Sequence, residues 1–337
     1  MSEVTVLTGE PMHLVDYTNA DAVKQVPTRN GFGEGLVEAG KRNPNVVGVC
    51  ADLSESTRMQ GFRDTFPERY IEVGVHEQLL VAMSAGLAAA GKVPFIASYA
   101  MFCPGRAWEQ VRTTMALNET NVKIAGAHAG VSVGPDGATH QAIEDIAIMR
   151  PIPNMIVVVP CDSTQAKKAT LAVAEHWGPT YLRFGREKSA VITTEDTPFE
   201  IGKAQIFREG SDVAIVACGI LVYNALIAAE QLKAEHGIEA LVLNNHTVKP
   251  MDCAGVIDVA RRCGAVVTVE EHQVAGGMGS RVAEILAENE PVPIEFIGVR
   301  DHFGQSGTPA ELIEYYGMGS GAIKEAALRA YERKRQR

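Results

Sequence analysis

Short apolar runs with no polar alternation, spaced by helix-length segments, constrain this chain more than any other feature. Met155-Ile156-Val157-Val158-Val159 is one such run. A strand apolar on both faces must be covered on both, which is the condition of a parallel sheet flanked by helices. The pattern predicts strands over 46–51, 70–75, 94–99, 122–127, 155–159 and 180–184, with helices over 31–41, 79–90, 108–117, 141–149 and 164–176. A polar break follows at Thr193-Thr194-Glu195-Asp196-Thr197-Pro198, and a second alternation runs from 213 to 297. The expected fold class is α/β, with two doubly wound domains and a mainly parallel sheet in the first. The expected boundaries are a lead-in over 1–25, a first domain over 26–190, a linker over 191–210 and a smaller α/β domain over 211–337.

A length of 337 residues suits two domains. The formal net charge is -10, and the one dense run of basic residues is the tail Arg333-Lys334-Arg335-Gln336-Arg337. That distribution speaks against nucleic-acid binding. No apolar run approaches the length that spans a bilayer, and the first residues lack the apolar core of a secretory signal. The six cysteines are widely spaced without a CxxC pair, so neither a metal cage nor a disulfide framework is expected. A reducing, cytoplasmic compartment is the default for such a chain.

Chemistry concentrates where predicted strands end. Val133-Gly134-Pro135-Asp136-Gly137-Ala138-Thr139-His140-Gln141 is a glycine-rich loop with an Asp and a His four residues apart, and His128 stands twelve residues before His140. A histidine pair framing such a loop suits proton shuttling and anion contact near neutral pH. Glu77 opens a strongly apolar helix, where a carboxylate can simply favour the helix N-terminus or act as a proton donor or relay. Tyr99 and Phe102 close a strand at a spacing of three, as core filling or as a platform for a flat ring. Arg29, Ser56, His128 and Arg186 all lie near element ends and could together grip a phosphate. Gly276-Gly277-Met278-Gly279-Ser280 reads better as a tight structural turn than as a nucleotide loop.

With these residues in place, the chain resembles the C-terminal half of transketolases, a pyrimidine-binding domain followed by a C-terminal domain. The resemblance rests most on Val75-His76-Glu77-Gln78, Ser98-Tyr99-Ala100-Met101-Phe102 and the segment from His128 to Gln141. It implies thiamine diphosphate bound at a subunit interface with its aminopyrimidine on this chain. Glu77 then matches the glutamate that hydrogen-bonds the pyrimidine nitrogen, Tyr99 and Phe102 the rings packed on the pyrimidine, and Asp52 an aspartate near the cofactor. His140 matches a histidine at the reacting oxygens of the substrate, and Asp136 an aspartate that reads a sugar hydroxyl. Arg29, Ser56, His128 and Arg186 match the residues that hold the sugar phosphate. The chain has no GDG motif, so the resemblance implies that the Mg2+ ligands come from a separate N-terminal subunit, in an α2β2 heterotetramer.

Three readings follow. The first is the C-terminal subunit of a split transketolase that transfers a two-carbon ketol unit between phosphorylated sugars. The second is half of another thiamine-diphosphate enzyme, similar to deoxyxylulose-phosphate synthase or to the β subunit of a 2-oxoacid dehydrogenase. The third is a non-catalytic subunit of the same fold. The Asp136–His140 loop and the candidate phosphate clamp favour the first.

Overall fold

The structure, a computed structural model, describes residues 12–336. Residues 1–11 of the expected lead-in and Arg337 of the basic tail lie outside the described residues. In chain order the strands are β1 (Gln25–Pro27), β2 (Val46–Cys50), β3 (Tyr70–Glu72), β4 (Val93–Tyr99), β5 (Lys123–Ala127), β6 (Ile156–Val158) and β7 (Thr180–Arg183). They continue as β8 (Lys188–Ala190), β9 (Gln205–Arg208), β10 (Val213–Ala217), β11 (Ala240–Asn244), β12 (Thr247–Lys249), β13 (Val266–Gln273) and β14 (Ile294–Val299).

The first sheet has the order β12-β6-β7-β5-β4-β2-β3, parallel throughout except for β12. The second has the order β14-β13-β10-β11-β9, again parallel except for its edge strand β9. Continuous apolar runs became buried central strands: every residue of β2, β5, β6, β10 and β11 is buried. The fold is therefore α/β with a mainly parallel first sheet and a smaller second one. One apolar cluster joins Val49, Leu80 and Ile96 of the first half to Val216, Leu243 and Val256 of the second.

Several expected elements differ in extent. The predicted helix over 141–149 is helical only at Asp145–Met149, because Gln141 is drawn into bonding the loop before it. The helix expected over 108–117 starts as Trp108–Gln110 and widens into a π-helix at Val111–Ala116. Strand β3 stops at Glu72 instead of Val75. The stretch 191–210, expected as a linker, includes β9, paired antiparallel with β11. Helix Leu221–His236 buries the expected stripe of Leu221, Ala225, Ala228 and Leu232, and Gly237 ends it in the left-handed conformation with φ 66°.

The helix that carries Arg29, Thr28–Arg42, packs against helix Ser163–Glu175 at very short range. A Cβ on Gly31 would stand 1.8 Å from the Ser163 carbonyl oxygen, and one on Gly35 2.8 Å from Thr170 Cβ. Glycine at these two positions allows the backbones to meet.

Candidate active site

Five of the candidate residues leave the first sheet at the carboxyl ends of different strands. Asp52 follows β2, Glu77 follows β3, Tyr99 closes β4, His128 follows β5 and Arg186 follows β7. Strands β3 and β4 flank β2 on opposite sides, so the order of strands reverses there, which is where open α/β sheets place a ligand crevice.

Glu77 is the first residue of helix Glu77–Ala89 and only 3% exposed. The unpaired N–H groups of a helix start favour negative charge at that place. Its Oε1 accepts the Ser98 hydroxyl at 3.3 Å, its single side-chain bond among the described residues. Burial first, and the Glu77 charge second, push the Cys103 thiol upward, which puts the carboxylate close to the turn that follows Phe102. With one hydroxyl partner, the carboxylate retains acceptor capacity for a ligand. His76, exposed and preceding it, places Nδ1 3.2 Å from the Val73 carbonyl oxygen and so closes the local turn.

The aromatic side chains form a continuous group. Tyr99 and Phe102 stack at 6.2 Å between centroids, Tyr99 stacks on His128 at 3.9 Å, and Phe102 meets the His140 ring edge-on at 5.3 Å. The two histidines named from sequence thus meet the two rings named from sequence.

Next to His128 lies a cationic group. Arg29 Nη1 donates to the Ser56 carbonyl at 2.8 Å, while its Nε is buried without a partner among the described residues. Ser56 therefore takes part here through its backbone oxygen. Burial, then the charges of Arg58 and Arg186, push the Arg29 guanidinium downward. His128 is 1% exposed, and its Nδ1 has no partner among the described residues. Burial first, then Arg29, Arg186, His140 and Arg58, push it down to about 3. The expected proton shuttling near neutral pH is thus corrected for His128, which stays neutral there. Arg58 was not singled out from sequence, although it stands two residues after Ser56; its Nε donates to Asn30 Oδ1 at 2.9 Å.

Arg186 donates through Nη1 to Asp136 Oδ1 at 3.1 Å and to the Val133 carbonyl at 3.2 Å, and its Nε lies 3.2 Å from Glu187. Two candidates expected to meet different parts of a substrate are paired with each other. His140 Nδ1 lies 2.9 Å from the Thr139 hydroxyl. Asp52 is exposed and gives its backbone N–H to Glu72 at 2.7 Å; it has no hydrogen bond or ion pair to either group among the described residues. Left-handed backbone at Asp52 (φ 59°), Arg58 (φ 69°) and His128 (φ 56°) gathers at this crevice, and such strain concentrates at functional positions.

The turn at Gly276–Ser280 is structural, as expected. The N–H groups of Met278 and Gly279 are taken by the Glu270 carboxylate at 2.7 and 2.8 Å, where an anion would otherwise sit.

Comparison with known proteins identifies the family. The family described as transketolase, pyrimidine binding domain, matches residues 24–190, and transketolase, C-terminal domain, matches residues 202–323. The 6-deoxy-6-sulfo-D-fructose transketolase subunit SqwH of Clostridium sp. is 42% identical over 91% of this chain and 95% of its own length. One of the subunits of the apulose-4-phosphate transketolase of Phocaeicola vulgatus is 37% identical over 91% of this chain and 98% of its own. A solved structure described as a split gene transketolase, inactive β4 tetramer, shares 44% identity over 92% of this chain and 99% of its own, with a TM-score of 0.86. No helix among the described residues is long and apolar enough to cross a membrane. The chain belongs to the transketolase family.

Proposed function

We propose that this chain is the C-terminal subunit of a split transketolase that depends on thiamine diphosphate. With a separate N-terminal subunit, in an α2β2 heterotetramer, it moves a two-carbon ketol unit from a ketose phosphate to an aldose or aldose phosphate. The relatives covered almost end to end are named as transketolase subunits, which supports a division of the active centre between two polypeptides. We also propose the domain division at 191–210, metal ligands for Mg2+ on the partner subunit, and a cytoplasmic setting without nucleic-acid or membrane partners. The six cysteines are all unpaired, which suits that setting.

The residues fit the cofactor. A carboxylate with acceptor capacity to spare, bonded to the Ser98 that precedes Tyr99, and two part-buried aromatic rings suit a flat heterocycle with a basic nitrogen. When bound, thiamine diphosphate supplies a carbon nucleophile and an electron sink for C–C cleavage. Glu77 holds a proton at the heterocycle nitrogen, Tyr99 and Phe102 fix the plane of the ring, and Asp52 lies near the cofactor at the open side. His140 holds or moves a proton at the reacting oxygens of the sugar, while Asp136 reads a sugar hydroxyl. Arg29, the Ser56 hydroxyl, His128 and Arg186 grip the phosphate.

The observation that carries this reading is the ring chain from His140 through Phe102 and Tyr99 to His128. It leads from Tyr99, next in chain to the Ser98 that binds Glu77, to His128 beside the arginines. The test is reconstitution. The chain alone is expected to show no ketol transfer, and activity should appear on adding the N-terminal subunit, thiamine diphosphate and Mg2+. Glu77→Gln in that assembly should cost about 10²- to 10⁴-fold in kcat with an unchanged melting curve. Turnover by the lone chain, or a near-normal rate with Glu77→Gln, would refute the reading.

A further inference from the structure

The loop bearing Asp136 and His140 is fastened to the C-terminal half by contacts that neither the rings nor the anion clamp use. Glu271, on β13, is 5% exposed, and its Oε1 accepts the Ser132 backbone N–H at 2.6 Å. Its carboxyl group also fills the space beside Gly130, where a Cβ would lie 2.3 Å from the carboxyl carbon and φ is 87°. The Glu271 carbonyl accepts Arg183 Nη2 at 2.8 Å, and Arg183 Nε binds Asp145 at 2.7 Å in a pair nearly withdrawn from solvent. The anchor is thus itself fixed to the first sheet.

A second fastening lies at the far end of the loop. Gln141 Nε2 donates to Val131 O at 3.0 Å, to Gly134 O at 3.3 Å and to Gln305 O at 2.9 Å. Gly134 and Gly137 run against Pro309 and Ser306 with φ of 82° and 75°. An N–H buried at Ser132 cannot turn to water, so a carboxylate acceptor there is worth more than an ordinary hydrogen bond.

We propose that Glu271 is a positioning residue: it sets the path of residues 129–137 so that Asp136 and His140 face the crevice, making the C-terminal half part of the active centre. The kinetic consequence rests on the transketolase reading; the anchoring does not. Neighbouring Glu270 spends its carboxylate on Met278 and Gly279, so Glu270→Gln serves as a control for general loosening of β13.

Hydrogen exchange on the full chain, read by mass spectrometry, decides the matter. In Glu271→Ala, peptides over 129–141 should exchange roughly 10- to 100-fold faster, the worth of a bond to a charged group. Strands β5 and β10 should keep their protection, and Glu271→Gln, which retains an oxygen acceptor, should restore most of the loss. Where the alanine variant does not fold, Glu271→Asp pulls the carboxylate back by one methylene and should loosen the same peptides. In the reconstituted assembly, kcat/KM for a ketose phosphate should fall with Glu271→Ala by a similar factor, with the half-saturating thiamine diphosphate concentration unchanged. Wild-type exchange over 129–141, or loosening shared equally by β10 or reproduced by Glu270→Gln, would overturn the proposal. An inactive wild-type assembly would refute the transketolase reading alone, because the exchange result still decides the anchor.

Discussion

Arg29 and Arg186 bring the same charge to the same cluster but differ in what each already holds. Arg186 is engaged by Asp136, Glu187 and the Val133 carbonyl, so an arriving anion competes with two carboxylates for it. Arg29 holds one backbone carbonyl and keeps a buried Nε without a partner among the described residues. Arg29→Ala should therefore raise KM for a phosphorylated donor about 10- to 100-fold, and Arg186→Ala should raise it less. Steady-state kinetics with a phosphorylated and a non-phosphorylated donor checks this: equal effects on both donors would remove the arginines from phosphate contact. The place of Glu77 at the head of its helix was legible in the sequence, because a carboxylate opening so apolar a segment is conspicuous. Arg58 sits in a polar, aperiodic stretch, and its approach to Arg29 depends on a left-handed backbone that no local pattern announces. Glu271 lies past Val269, where the apolar run of its strand ends, although the strand itself continues to Gln273.

At the scale of elements, the position of Arg29 depends on the contact between helices Thr28–Arg42 and Ser163–Glu175. Gly31→Ala would force a methyl group against the Ser163 carbonyl, and overpacking of this kind costs roughly 1–3 kcal/mol. Denaturant unfolding should register that loss. The variant should also weaken use of a ketose phosphate, because Arg29 sits two residues from the displaced contact; an unchanged midpoint would mean that the helices part freely. Buried strands other than β13, which runs four residues past its apolar stretch, were legible to within a residue or two, since two covered faces leave an unbroken apolar run. Strands β9 and β12 were not. Each is short, lies at an edge, and exists through pairing with residues distant in sequence. Gln141 misled for a related reason: its side chain serves the loop, so the helix begins at Asp145.

At the scale of the whole molecule, buried ionisable groups set the response to acid. Burial foremost pushes His128 and His246 down to about 3 and His272 to about 4, from an ordinary 6.5. Below about pH 6.5 the unfolded chain takes up protons that the fold refuses, so stability drains away as pH falls toward 4. Glu270, raised by burial from 4.5 to about 7, acts the other way between those values, and Glu271 is shifted in the same direction. Three histidines oppose two carboxylates, so denaturation midpoints should descend from about pH 7 to about pH 4.5. A flat or rising series would show that the histidines are protonated inside the fold.

Strand β12 belongs to the later half of the chain yet closes the earlier sheet beside β6. Severing the polypeptide near residue 200 would strip that border and leave Ile156–Val158 with raw backbone groups ready to seize a strand from a neighbouring molecule. The two halves are therefore poor candidates for separate expression or for shuffling as interchangeable modules, and ribosomal synthesis must deliver the second before the first is sealed.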